Sequence, residues 1–232
     1  ASIVFLTLPL VIFLGGWLRM PLAVCCSAIF SLAVMAWLLS RPDIRSPAGK
    51  EEDRLPLWKL LAGLAPVTIL VLISGAGGFG PQTWDWVKHN AILKDLIVQP
   101  WPVRYTVDTA SMGLVYYIAY YLPAAVIGKL AGTPEGWHLA NLAILSTTLA
   151  GAWLTVLWLI VLGRTSPWIA GILFVLFSGM DVLGAVLTAK DGLDFSKIFT
   201  DFHLEWWSGL RRWQYSSNTS LLYFVPNQAL PG

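Results

Sequence analysis

Charge is what this sequence has least of. Asp, Glu, Lys and Arg together make 12% of 232 residues, about half the usual soluble share. Hydrophobic residues make 56%, more than a soluble domain of this size can hide in its interior. Cysteine is nearly absent, with Cys25 and Cys26 adjacent in one apolar run. Neighbours on a helix point apart, which excludes a disulfide or a CxxC redox site. No basic cluster interleaves with a soluble segment, and the net charge is only +2, so nucleic acid is excluded as a partner. P-loop, Rossmann and nucleophile-elbow patterns are absent. So are internal repeats, coiled-coil heptads and low-complexity tracts. The chain starts without Met and stops at VPNQALPG, which reads as a piece of a larger protein.

Long apolar runs dominate what is present. They are continuous rather than alternating, which favours helices over a barrel. The expected fold is all-α: a polytopic transmembrane helical bundle of five or six spans. An extracytoplasmic loop carries short amphipathic juxtamembrane helices. Residues 1–40 read as a transmembrane hairpin, interrupted at Arg19-Met20-Pro21. Residues 41–59 hold three Arg and two Lys and so stay on the cytoplasmic side. Residues 60–185 form the membrane core, with the external loop at 78–108. Residues 186–232 form a polar, aromatic loop leading to a further span. The membrane is expected to be a bacterial inner membrane.

The segment 109–128, TASMGLVYYIAYYLPAAVIG, leaves the topology open. If it spans, Asp85 and Asp181 face opposite sides. If it lies flat at the interface, where Tyr is comfortable, Arg164 turns cytoplasmic and the tail joins the Asp85 side.

Polar chemistry gathers in WDWVKHNAILKDLIVQPWPVRY, 84–105. As a helix, 84–98 puts Asp85, Lys88, His89, Ile92 and Leu96 along one side, with its apolar stripe in lipid. Asp85 and His89, four apart, can touch. Such a pair shares a proton, holds a metal, or prepares a hydroxyl. The plainer alternative is an interface helix anchored by Trp84, Trp86 and Trp101. PWPVRY is stiff and can hold Arg104, with Tyr105 beside it, against an anionic group such as phosphate; Arg104 on a lipid headgroup is the alternative. Asp108 reads as a helix cap, and Tyr116, Tyr117, Tyr120 and Tyr121 as one polar-edged helical face. Asp181 ends an apolar run, where a carboxylate is costly unless paired; a cap or a wet helix end explains it equally. His203 and Glu205 share a face only in a strand, so they indicate metal weakly and aromatic anchoring more. Gln214, Asn218, Asn227 and Gln228 add neutral donors and acceptors of the kind sugar hydroxyls favour.

The order of GGFGPQTWDWVKHNAILKDL, the Tyr segment and HLANLAILSTTLAGAWLTVLWLIVLGRTSPWIAGILFVLFSGMDVLG resembles the membrane glycosyltransferases of the C superfamily, over roughly 57–185. The resemblance implies a sugar donor on a polyprenyl phosphate, an extracytoplasmic acceptor and, in some members, a divalent metal, Mg or Mn. Asp85 would be the acid of the first external loop, and Gly163-Arg164 the small basic turn between core spans. His89 would tune Asp85 or hold the metal. The candidates to serve the substrate are Lys88, Arg104, Tyr105 and Asp181, with His203 and Glu205 in the tail that the resemblance does not reach. The sequence departs from the family in having Trp84 and Trp86 where a second acid often stands, and in its extra N-terminal hairpin. Two other functions fit the composition. One is an accessory subunit whose partners are lipids and the proteins of a larger membrane assembly. The other is a transporter subunit, though its clear spans carry almost no charge.

Overall fold

The computed structural model describes residues 2–40, 55–132, 134–177 and 218–229. Within them the chain is mostly helical. The helices are α1 (Ser2–Trp17), α2 (Met20–Leu39), α3 (Leu57–Ile73), α4 (Asp85–Val98), α5 (Leu122–Ala131), α6 (Glu135–Gly163) and α7 (Pro167–Leu176), then the short α8 (Asn218–Phe224) and α9 (Pro226–Ala229). Strands β1 (Arg104–Val107) and β2 (Ala110–Gly113) pair antiparallel, Arg104 opposite Gly113 and Val107 opposite Ala110.

The ribbon corrects the all-α expectation. Tyr105, Thr106 and Val107 are strand formers, and Pro102 discourages a helix before them. Asp108 turns the corner at φ 54°, a left-handed conformation that Asp tolerates. It caps no helix. The segment 109–128 is accordingly broken into β2, a 3-10 turn at Ile118–Tyr120 and the first part of α5. Its one α-helix has ten residues, about 15 Å, too short to cross a bilayer alone.

Two helices among the described residues are long and apolar enough to cross a membrane by length and composition: α2, over Met20–Trp37, and α6, with 29 residues. Helices α1, α3, α5 and α7 are apolar but shorter, at 10–17 residues. Both α1 and α2 lie at the edge of the bundle, although Ile12, Phe13 and Trp17 of α1 pack against its core. No residue of α1 is buried, and among the described side chains of α2 Ala23 is the one buried hydrophobic.

Helices α3, α6 and α7 pack together around Leu64, Val67, Val71, Ala152, Val156, Ala170 and Phe174, with Leu222 and Phe224 of α8 in the same core. The α3–α7 crossing is backbone-close: a Cβ on Gly171 would strike the Gly63 carbonyl, and one on Gly63 the Pro167 carbonyl. Hydroxyls inside these helices return to their own backbone, Thr68 to Leu64 O at 2.9 Å, Thr148 to Ile144 O at 2.7 Å and Thr155 to Gly151 O at 3.0 Å, which leaves no hydroxyl unsatisfied there.

The contacts also sort the ends of the bundle. The Trp158 indole, late in α6, donates to Ser2 Oγ at 3.0 Å, and the start of α7 lies on the first half of α3. The end of α1 packs instead on the loop after α4, the Trp17 ring tilted against Trp101 with centroids 5.1 Å apart. The starts of α1, α3 and α7 therefore share one end with Arg164. Helix α4, the ribbon and α5 gather at the other, beside the start of α6. Arg164 sits in a tight turn at φ 46°, and Ser166 caps α7 by accepting from the Ile169 amide at 3.4 Å.

Candidate functional site

Helix α4 forms where its periodicity predicts. Its apolar stripe, however, is covered by protein rather than by lipid. Trp86, Ile92, Leu93, Leu96 and Ile97 are buried in one cluster with Val103, Ile118, Tyr121, Leu122, Ala125 and Ile144. Trp86 is 2% exposed, and its indole donates to the Tyr223 carbonyl at 3.0 Å; it anchors α8 rather than a headgroup layer. Thr83 donates to the same carbonyl at 3.2 Å. Trp84, 59% exposed, alone keeps the outward position expected of the three. Trp101 donates to Leu96 O at 2.8 Å under the Lys129 ammonium, 5.4 Å from its ring.

The expected Asp85–His89 pair is not formed. His89 is 1% exposed and uses both ring nitrogens elsewhere. Nε2 lies 2.8 Å from the Phe224 carbonyl, and Nδ1 meets the Tyr121 hydroxyl. A carbonyl only accepts, so Nε2 carries the proton and Nδ1 accepts from Tyr121. Burial lowers the His89 pKa, against a smaller opposing effect of the Phe224 carbonyl. The imidazole is a neutral clamp that ties α4 to α5 and α8. With both nitrogens engaged it is neither partner to Asp85 nor metal ligand.

Asp85 pairs instead with Lys88, Nζ to Oδ1 at 3.2 Å. The carboxylate side chain is 11% exposed and the ammonium side chain 45%. Lys88 also lies 5.6 Å from the centre of the Tyr116 ring. Partial burial alone would lower its pKa; hydrogen bonding to Tyr116 and to Asp85 outweighs that and raises it. Asp85 stands in the first turn of α4, where the helix dipole favours a carboxylate.

Tyr116 also lines an apolar groove of about 930 Å³ between α1, the 116–123 segment and α6. Leu6, Leu10 and Phe13 form one wall, and Trp153 and Leu157 the other. Asn227, 2% exposed, is the one amide in the lining, where Thr147 adds a hydroxyl. Neither its Nδ2 nor its Oδ1 has a hydrogen-bond partner. The neighbouring Tyr120 hydroxyl is satisfied by Thr148 Oγ1 at 2.7 Å. The four tyrosines do not make one helical face. Tyr120 and Tyr121 are buried at 7% and 1%, while Tyr117 is 63% exposed.

Arg104 is exposed on β1 and touches neither Asp85 nor Lys88. Tyr105 donates to Asp95 Oδ2 at 2.6 Å; burial first, then the Asp95 carboxylate, push its pKa up to about 12. It braces the ribbon against α4. Asp181, His203 and Glu205 lie outside the described residues. Among the described residues no group of three His, Cys, Asp or Glu side chains could hold a metal ion.

The sequence reading missed Tyr121, Tyr223 and Phe224 as partners of α4. Two of these contacts are backbone carbonyls, for which side-chain identity gives no signal. Asn227 was visible only as a polar residue in an apolar context. Compared with family models, curated proteins and solved structures, the chain matches none.

Proposed function

We propose that the chain is an integral membrane protein of a bacterial inner membrane, with α1, α2, α3 and α6 as spans and α7 packed beside α3. It transfers a sugar from a polyprenyl-phosphate donor to an acceptor at the outer face. One observation carries this reading. Tyr116 is common to a buried-acid and ammonium pair, Asp85–Lys88, and to a groove of about 930 Å³ lined almost wholly by apolar side chains. A lipid phosphate needs that combination: a cation for its head and an apolar channel for its chain.

The topology is consistent. The basic stretch 41–59 precedes α3, whose start shares its end of the bundle with Arg164; basic short loops stay inside. Helix α4, the ribbon and α5 then lie outside. Exposed apolar residues run along α1, α2 and α6, among them Val4 at 65%, Ile29 at 67% and Leu162 at 76%, as lipid-facing helices require.

In the reaction, Asp85 takes the proton of an acceptor hydroxyl as its oxygen attacks the anomeric carbon. The carbon–oxygen bond to phosphate breaks, and the polyprenyl phosphate leaves with that electron pair, its added charge met by Lys88. The Asn227 amide faces the lipid. His89 holds α4 in place without touching substrate. No step is routed through a metal.

The test is transfer of labelled sugar from a polyprenyl phosphate by the purified protein. Asp85→Asn is expected to slow turnover by about 100-fold or more with an unchanged unfolding midpoint; equal rates remove Asp85 from catalysis. A second reading, an accessory subunit, draws on the bare apolar surface of α2. Copurification with a large membrane partner in fixed ratio, without transfer activity, would support it.

A further inference from the structure

A second cleft lies apart from the apolar groove. It has about 610 Å³ and is lined by the 77–79 loop, Gln82, Asn90 and the first turns of α6, including Trp137, His138 and Asn141. Its lining contains no Asp, Glu, Lys or Arg. Three amides face it, and they are held in a fixed order. Gln82 Nε2 donates to the Gly75 carbonyl at 3.0 Å, Asn90 Nδ2 donates to Gln82 Oε1 at 2.9 Å, and Asn141 Nδ2 donates to the Trp137 carbonyl at 3.0 Å. Each bond uses one N–H of its donor. The Oδ1 atoms of Asn90 and Asn141, and a second N–H on every amide, remain for a ligand.

The floor is fixed as well. Gly77 holds φ +67°, and a Cβ there would strike the Asn141 carbonyl, so the loop sits directly on α6. Two aromatic rings border the cleft, Trp137 and Phe79, and Phe79 is 60% exposed. An exposed ring beside prearranged neutral donors and acceptors suits one ligand chemistry. A sugar ring offers hydroxyls that both donate and accept, and an apolar face of C–H bonds to lie on an aromatic. A cationic ligand would find no counter-charge in the lining, and an anionic one only the His138 imidazole. An apolar ligand would leave the amides unpaired, at a cost.

We propose that this cleft binds neutral sugar residues, and that it holds the saccharide part of the acceptor. Its role as acceptor site rests on the transfer reading; sugar binding itself does not. Asn90 and Asp85 share α4, with Asn90 five residues further along. Five residues turn about 140° around a helix, so the cleft is a distal subsite: the saccharide it grips must pass around α4 for its end to reach the acid.

The test is direct binding in nanodiscs, free of glycoside detergents that would compete. Maltotriose, cellotriose and mannotriose are titrated and followed by saturation-transfer NMR and calorimetry, with a trisaccharide of uronic acids as the charged control. Asn90→Leu removes the central amide, and Phe79→Ala removes the exposed ring. The expected result is saturable binding of at least one neutral trisaccharide. Each variant should weaken it tenfold or more at an unchanged unfolding midpoint. The inference is overturned if no neutral trisaccharide binds, if both variants bind as well as the parent, or if the charged control binds more tightly. Binding without any transfer activity would sink the transfer reading and leave the sugar cleft standing. Transfer without binding here would do the reverse.

Discussion

Replacing His89 by Phe keeps the volume of the ring and removes both of its hydrogen bonds. The Tyr121 hydroxyl, 1% exposed, loses its acceptor, and the Phe224 carbonyl loses its imidazole donor. Leaving the buried Tyr121 hydroxyl without its acceptor costs about 1–3 kcal/mol, and the lost bond to the Phe224 carbonyl adds about 0.5–1.5 kcal/mol. Each kcal/mol lowers the melting point of a chain this size by roughly 2–4 °C. The loss should be local as well as global. Hydrogen exchange in 218–229 should rise more than in α3 or α6, because the imidazole joins that segment to α4. His89→Gln, which can restore one of the two bonds, should fall between. The pH dependence has a definite sign. Burial depresses the folded-state pKa of His89 below the ordinary histidine value of 6.5, so the unfolded chain binds the proton more readily. The stability contributed by the neutral ring is complete above 6.5. It is lost as pH falls from there toward the lower folded pKa, and His89→Phe should lack that part of the slope. Unchanged melting and exchange in His89→Phe would refute the clamp and reopen a catalytic role for this histidine.

Two further changes probe packing and the groove. Gly171→Leu should separate α3 from α7, because its side chain would meet the Gly63 carbonyl; overpacking of this kind costs about 1–3 kcal/mol, read by thermal unfolding in detergent, and an unshifted midpoint would contradict the close crossing. Asn227→Leu should stabilise the lipid-free protein by about 1–3 kcal/mol, since it removes a buried amide that has no partner. The same change should reduce retention of polyprenyl phosphate in native mass spectrometry, and loss of stability together with full retention would count against the groove as a lipid site.

Much of the helical framework was legible from composition and periodicity alone. Runs of uncharged residues set the extents of α1, α2, α3 and α6 to within a few positions, because a helix satisfies its own backbone and apolar side chains need no further instruction. The turn at Gly163-Arg164 and the breaker run after α3 were equally plain, marked by charge and glycine. The 14-residue α4 followed from the 3.6 period of its apolar positions. That period says a face is covered; it is silent on what covers it. Lipid and protein are alike to a hydrophobic stripe, so the burial of α4 beneath α5 and α8 came only from tertiary contacts.

The candidate site divides along the same line. Asp85 and Lys88 are three residues apart on one helix, so local geometry alone brings them together. Asp85 and His89 are equally well spaced, yet the imidazole is taken by a hydroxyl 32 residues away and a carbonyl 135 residues away. Local spacing permits a contact; competition among partners distant in sequence decides it. The ribbon at 104–113 is the exception, a local matter of strand propensity at Tyr105, Thr106 and Val107 and of the Asp108 turn. By itself the sequence determined how much oil the chain must cover and where its helices run. Which polar groups meet was left to the packing of α4, α5 and α8, because hydrogen-bond partners are chosen by position in space, and position is set only when the whole chain has folded.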